Sequence, residues 1–213
     1  IVHGGGKEIS ALQEQLGITP RYLDGVRITD APSLQVVEMV LCGTVNKRLV
    51  RYLLGAGVDA IGMSGVDRGL ITAIPMQRDG HDMGYTGEVQ RVQAEVLYSF
   101  LQQNITPVIA PICLGTDSAY NVNADHVAGA VAAAIEAERA VFLTNVPGVL
   151  SDGQVLAQLS ISDAEALIAN GVISGGMIPK VKTALAVLHQ GVSRVVITNL
   201  DGLQNGGGTT FVQ

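Results

Sequence analysis

Two hydrophobic textures alternate along the chain. Short, nearly continuous apolar runs at Ala60 to Met63, Thr106 to Ile112 (split by Pro111), Ala140 to Thr144, Arg194 to Thr198 and Thr209 to Val212 read as buried strands. Between them, apolar residues recur at every third or fourth position. Ile9, Leu12 and Leu16 mark one helix ending at Gly17, and Leu34, Val37, Leu41, Val45, Leu49 and Leu53 mark a long one. Gln93 to Gln103 and the alanine-rich Asn123 to Ala137 continue the series. Ser162, with Glu165 three residues on, reads as a capping box for a helix ending near Asn170-Gly171. Gly175-Gly176 opens a helix from Met177 to about His189, stopped by Gly191. The stretch around Pro20, Asp24-Gly25 and Arg27 reads as a loop, and Leu70 to Val92 as β-like pieces broken at Asp79-Gly80. Alternating strands and helices predict an α/β protein with right-handed crossovers and an open, mainly parallel sheet.

No internal repeat, low-complexity linker or sharp boundary interrupts this pattern, so one domain over 1–213, in two lobes, is expected. The chain opens on Ile1-Val2, read as the end of a strand entering His3-Gly4-Gly5-Gly6, and a first strand is expected upstream of it.

Composition narrows the function. The chain is 47% hydrophobic and only 4% aromatic, with 26 glycines, the texture of a protein built around a buried parallel sheet. A net charge of −6 argues against a nucleic-acid partner, which demands a basic surface. Cys42 and Cys113 are too far apart for a disulfide framework or a metal-ligand spacing and read as ordinary buried thiols. The longest apolar stretch, His126 to Ile135, is too short to cross a bilayer, and a cytoplasmic protein without a membrane partner is expected.

The candidate chemistry sits in polar, glycine-containing loops after strands, where open α/β sheets bind ligands. His3-Gly4-Gly5-Gly6-Lys7 turns from a strand into a helix N-terminus, where glycines let backbone amides approach an anion; a plain turn explains it as well. In Tyr120-Asn121-Val122-Asn123-Ala124-Asp125, Asn123 reads as a helix cap with Asp125 in the first turn, while Asn121 lies outside the helix and is a candidate ligand contact. Lys180, in Gly175-Gly176-Met177-Ile178-Pro179-Lys180, stands near a helix start, where the dipole disfavours a cation; a nearby anion would account for it, the alternative being a solvated surface lysine. Thr144-Asn145-Val146-Pro147-Gly148-Val149 is adequately explained as a turn, and Arg27 as an exposed cation or a bidentate carboxylate clamp. Residue by residue, this reaches an anion-binding α/β protein and no further.

Taken in order, His3-Gly4-Gly5-Gly6, Gly25-Val26-Arg27-Ile28-Thr29, Val45-Asn46-Lys47, Gly84-Tyr85-Thr86-Gly87-Glu88-Val89, Asn121 to Asp125 and Ile173 to Lys180 closely resemble the N-acetylglutamate kinases of the amino-acid kinase family, over essentially the whole chain. The resemblance implies a three-layer α-β-α sandwich. It also implies ATP-dependent phosphorylation of the γ-carboxylate of N-acetyl-L-glutamate in arginine biosynthesis, with Mg²⁺ carried by the nucleotide phosphates. It places the amino-acid substrate in lobe 1–138 and ATP in lobe 139–213. Gly5, Gly6, Arg27, Asn121 and Asn123 would bind the substrate; Asn145, Val146, Gly148, Val149, Leu150, Gly176, Met177 and Lys180 would bind ATP. Lys180 would stabilise the transition state and Asp125 would orient the lysines. A homodimer is implied, for which the Leu34 to Leu53 helix could supply the interface.

Departures from the family pattern are also visible. A second catalytic lysine, in a Lys-x-Gly-Gly turn, is expected upstream of Ile1; Asn145 stands where the family usually has Asp; and the compact tail from Val195 to Gln213 leans against arginine feedback. The alternatives are a kinase of carrier-linked α-aminoadipate and a catalytically inactive regulatory member of the fold. A dinucleotide oxidoreductase lacks its GxGxxG signature here.

Overall fold

The computed structural model describes residues 1–78 and 80–213. Its contacts divide the chain into two compact units, Ile1–Val127 and Ala128–Gln213.

In the first unit, α1 (Gly6–Gln15) buries Ile9 and Gln13 and stops before Gly17, whose φ of 70° reverses the chain. What reads as a loop around Asp24-Gly25 is a hairpin of β1 (Arg21–Leu23) and β2 (Val26–Ile28). Asp24 (φ 47°) and Gly25 (φ 79°) both take left-handed conformations, as a tight two-residue hairpin turn requires. Its register sets Tyr22 opposite Arg27.

Asp30 caps α2 (Ala31–Glu38) by accepting from the Ser33 amide at 2.9 Å. The expected single helix is continuous but not uniform: α2 passes into a π-helical segment, Met39–Val45, and then into α3 (Asn46–Gly55). The apolar stripe explains the change. Val37, Leu41, Val45, Leu49 and Leu53 follow one another at steps of four, and each step overshoots an α-helical turn by about 40°. The wider i→i+5 turn takes up the drift and keeps Val37, Leu41 and Val45 all buried.

Parallel strands β3 (Ala60–Ser64) and β6 (Thr106–Ala110) pair, and Val2 bridges Ile109 in parallel. The β-like pieces expected in Leu70 to Val92 are β4 (Ile71–Pro75) and β5 (Thr86–Val92), which pair antiparallel. With β7 (Ile112–Leu114) and β8 (Ala119–Val122) they close a small barrel, β4-β5-β8-β7. Of the break expected at Asp79-Gly80, Asp79 lies outside the described residues. Helix α4 (Ala94–Leu101) precedes β6, and the core gathers Ile9, Val36, Val37, Val40, Leu41, Val45, Ala110 and Ile112.

Gly84 locks two of these pieces together. Its φ is 59°, it bridges Thr29, and a β-carbon on it would lie 2.3 Å from the Thr29 carbonyl oxygen. Gly84→Ala therefore combines a left-handed strain with a backbone overlap. It should destabilise by at least about 1–3 kcal/mol, read as a melting temperature several degrees lower. An unchanged melting temperature would show that the backbone relaxes freely there.

Helix α5 (Ala124–Ala134) carries the boundary between the units. Its later turns belong to the second core, because Ala132 is buried there and Gly129 approaches so close that a β-carbon would lie 2.4 Å from Val187 Cγ2. The contact boundary therefore falls inside this helix, ahead of residue 138. The second unit holds β9 (Ala140–Leu143), a small hairpin of β10 (Leu150–Ser151) and β11 (Gln154–Val155), and β12 (Gln158–Ser160). After α6 (Ile161–Ala169) and α7 (Met177–His189) come β13 (Arg194–Thr198), α8 (Leu200–Asn205) and β14 (Thr209–Val212). The main sheet runs β12-β14-β13-β9, parallel at β12/β14 and β13/β9 and antiparallel at β13/β14. The capping box of α6 is Ser160 with Asp163, not Ser162 with Glu165. Ser160 pairs with Val212 in the sheet, and the helix starts as soon as the chain leaves it.

Candidate active site

Within the first unit, a cavity of about 840 Å³ is walled by segments from distant parts of the sequence. Gly4, Gly5 and Gly6 come from the turn into α1, Arg27 from β2, Thr86 from β5, Asn121 from β8, and Asn123 from the start of α5. Every substrate residue expected from the sequence (Gly5, Gly6, Arg27, Asn121 and Asn123) thus lies on one wall or another.

Arg27 is half-buried and held in place from several sides. Its guanidinium donates to Gln13 Oε1, to Ser10 Oγ at 2.9 Å and to the Gly6 carbonyl at 3.4 Å, and it lies 4.9 Å from the centre of the Tyr22 ring. Gln13, 0% exposed, donates in turn to Ser33 Oγ at 2.9 Å. Burial pulls the guanidinium below the ordinary arginine pKa, with the Tyr22 phenol acting the other way. Among the described residues, no carboxylate forms an ion pair with Arg27. A partly desolvated cation fixed by neutral acceptors on a cavity wall is a receptor for an anion.

Behind Arg27, side chains knit the strands together. Thr86 Oγ1 donates to the Arg27 carbonyl at 2.6 Å and lies 3.0 Å from Thr29 Oγ1, which accepts from Asn121 Nδ2 at 3.0 Å. Asn121 therefore stands in strand β8 rather than in a loop. Asn123 caps α5, its Oδ1 accepting from the amides of Asp125 at 2.7 Å and His126 at 3.3 Å. Asp125, half-buried in the first turn of α5, is not among the residues lining the cavity.

His3, the residue before the glycine turn, is buried beside Asn46. Burial lowers its pKa, and the positive charge of Arg48 adds to the effect. The cysteines carry no comparable signal. Burial raises the Cys113 thiol to about 12 and the Cys42 thiol to about 11, so both are held protonated.

In the second unit, the loop from Asn145 to Leu150 is fastened to β14 by the Val149 amide donating to Thr209 Oγ1 at 2.8 Å. Gly148 has a φ of 155°, and a β-carbon there would lie 2.7 Å from the same oxygen. Asn145 is exposed and accepts from Thr144 Oγ1 at 3.2 Å, and Val146 is half-buried. Gly176 caps α7 without any side-chain hydrogen bond, Met177 packs on the core, and Lys180 is half-buried in the helix's opening turns. A second cavity, of about 530 Å³, lies beside this loop. Pro147 reaches it, with Asn199, Asp201 and Gly206 to Gly208 forming much of the rest.

Sequence reading missed Ser10, Tyr22 and Thr86 on the first cavity, and Asn199 with α8 on the second. The Asp24-Gly25 pair carried the signal for Tyr22. Asn199, whose side chain accepts from the Gly202 amide at 2.8 Å, is a cap legible in retrospect.

Comparison with known proteins adds independent information. Residues 1–199 match the sequence profile of the amino acid kinase family. The acetylglutamate kinase of Roseiflexus sp. (strain RS-1) is 55% identical over 213 residues, covering all of this chain and 82% of that protein. Among solved structures, smu.665 from Streptococcus mutans UA159 superposes with a TM-score of 0.88 at 32% identity, over 100% of this chain and 84% of that one. N-acetylglutamate synthase from Neisseria gonorrhoeae, complexed with coenzyme A and N-acetyl-glutamate, superposes at 0.85 with 28% identity, over 99% of this chain and 51% of that one.

Proposed function

This chain belongs to the amino acid kinase family, and from that premise we propose that it phosphorylates the side-chain carboxylate of N-acetyl-L-glutamate with ATP, releasing ADP and an acyl phosphate. The observation that carries this reading is the half-buried Arg27 guanidinium, unpaired with any described carboxylate, on the same cavity wall as the Gly4–Gly6 turn. A dicarboxylate needs two separate anion receptors, and here one is a guanidinium fork and the other a glycine turn at a helix N-terminus.

The roles follow from charge. A side-chain carboxylate oxygen attacks the γ-phosphorus, and the bond from that phosphorus to the β,γ-bridging oxygen breaks as ADP departs. The nucleophile is already ionised at neutral pH, so no general base is required. The obstacle is repulsion between anions, and the chain answers it with fixed donors: the amides of Gly5 and Gly6 around the reacting group, Arg27 on the α-carboxylate, Asn121 and Asn123 beside it, and Lys180 on the phosphates. Asp125 is assigned to orienting lysine. ATP is assigned to the second unit, along Asn145 to Leu150 and Gly176 to Lys180. These groups are donors suited to phosphate rather than metal ligands, so Mg²⁺ would enter on the nucleotide's own oxygens, where it lowers their charge.

Assembly as a homodimer belongs to the same reading. The Leu34 to Val45 stripe is spent on the unit's own core, but Met39, Tyr52 and Leu54 of the same helical run stay exposed and could meet a second copy; light scattering of the purified chain would show a dimer mass. No helix among the described residues is long and apolar enough to cross a membrane, and a cytoplasmic enzyme is proposed.

Trapping the acyl phosphate with hydroxylamine, while following ADP release, tests the assignment. The full chain should yield hydroxamate with N-acetyl-L-glutamate. Turnover of carrier-linked α-aminoadipate alone would assign it to lysine synthesis, and turnover of neither would mark an inactive member of the fold.

A further inference from the structure

The Val45-Asn46-Lys47 step stands out in the sequence, yet the reaction described above gives it no part. Asn46, 1% exposed, closes the π-helical segment Met39–Val45. Its Nδ2 lies 2.8 Å from the Val108 carbonyl, 3.3 Å from the Met63 carbonyl and 3.1 Å from His3 Nε2. Carbonyl oxygens on that side settle which end of the amide is nitrogen, and an amide nitrogen only donates. His3 Nε2 must therefore accept, which puts the ring proton on Nδ1. Nδ1 lies 3.1 Å from the Gly4 carbonyl and so donates to it. A doubly protonated ring would set one N–H against another, and burial of His3 already disfavours that form.

The same helical segment shapes the next residue. A β-carbon on Gly5 would lie 2.8 Å from Leu41 Cδ2 and 3.2 Å from Val45 Cγ2, so these side chains fill the space behind the turn. Asn46 has its own clearance: a β-carbon on Gly62 would come within 1.9 Å of its Oδ1. The π-helical turn thus brings Leu41 and Val45 against Gly5, and Asn46, the residue that closes it, against His3; the sequence steps of four show why an α-helix would rotate that group away.

We propose that Asn46 and His3, backed by Leu41 and Val45 of the π-helical turn, are positioning residues that fix the direction of the Gly4–Gly6 amides. The proposal rests on the reading of that turn as the receptor of the reacting group. It differs from a merely structural role for Asn46, the satisfaction of carbonyls between β3 and β6, in reaching the turn through one hydrogen bond of one tautomer.

The test compares His3→Phe, a ring without hydrogen bonds, with His3→Asn, whose amide nitrogen can stand where Nδ1 stood. His3→Phe should lower kcat about 10²-fold, the cost of a small misplacement of reacting groups. KM for N-acetyl-L-glutamate should change by less than about 3-fold, because Arg27 is untouched. His3→Asn should recover most of the loss. In parallel, the ¹⁵N amide shifts of Gly4, Gly5 and Gly6 should move in His3→Phe and return toward wild type in His3→Asn. Should His3→Phe fail to fold, Asn46→Ser takes its place in both measurements. Unmoved glycine shifts, or a His3→Asn enzyme as impaired as His3→Phe, would overturn the proposal. Shifts that move and recover in a protein inactive toward N-acetyl-L-glutamate would support the positioning role and remove the functional reading alone.

Discussion

Lys180→Ala is expected to lower kcat by about 10³-fold, the scale on which removing a charge from a phosphoryl-transfer site acts, while KM for N-acetyl-L-glutamate stays near its wild-type value. The reason lies in how α7 begins. Helix α6 closes its first turn with the Ser160–Asp163 box, and α8 closes its own with Asn199. Helix α7 has neither a side-chain cap nor an acidic residue in its first turn, and it carries Lys180 close behind. The Met177 and Ile178 amides donate to the Ser174 and Gly175 carbonyls, each at 3.2 Å, and Pro179 has no N–H. The turn thus satisfies its own amides, and it is the cation that works against the dipole. A phosphate chain at this positive helix end would pair with the lysine and offset that cost. Among the described residues, Lys180 makes no side-chain hydrogen bond or ion pair, so its removal should barely move the melting temperature. Steady-state ADP release against each substrate separates the terms. Lys180→Arg keeps the charge but changes the shape and should recover only part of the rate. A kcat unchanged in Lys180→Ala would take this residue out of the mechanism.

Arg27→Ala should act on the other kinetic constant, raising KM for N-acetyl-L-glutamate by about 10²-fold. Truncating one partner of a desolvated charge pair costs about 2–5 kcal/mol, and about 1.4 kcal/mol is a factor of ten. The side chain also has a structural share, since it binds Gln13 Oε1, Ser10 Oγ and the Gly6 carbonyl and stacks on Tyr22. Losing it leaves buried Gln13 without one of its partners, so a melting temperature lower by a few degrees is expected alongside. Arg27→Lys separates the two effects: it restores charge without the fork, and should leave KM well above wild type. If KM in Arg27→Ala equals that of wild type, Arg27 is a strut of the β1–β2 hairpin and the α-carboxylate is held elsewhere.

Much of this was legible residue by residue, and the failures have physical causes. The helix from Met177 to His189 was plain because its start, its apolar face and its stop at Gly191 are all local signals. The hairpin at Asp24-Gly25 was equally local, yet its strands are so short that the apolar pattern around it carried little weight. The capping box went to Ser162 and Glu165 by sequence preference, and to Ser160 and Asp163 in the fold, because β14 decides where the chain leaves the sheet. Asn121 read as a loop residue because β8 has only short apolar content of its own; pairing with β7 and β5 makes it a strand.

Taken alone, the sequence determined the α/β class, the glycine turns, most helix limits and, through motifs in order, the family. Each of these depends on neighbours in the chain or on an ordered set of residue types. Tertiary structure decided what converges. Gly5 and Gly6, Arg27, Thr86 and Asn121 meet on one cavity because β2, β5 and β8 are brought together by Thr29, Thr86 and Gly84, contacts that no local spacing encodes. It also decided the state of His3. Which ring nitrogen carries the proton follows from an asparagine amide whose direction is set by carbonyls of β3 and β6, far away in the sequence.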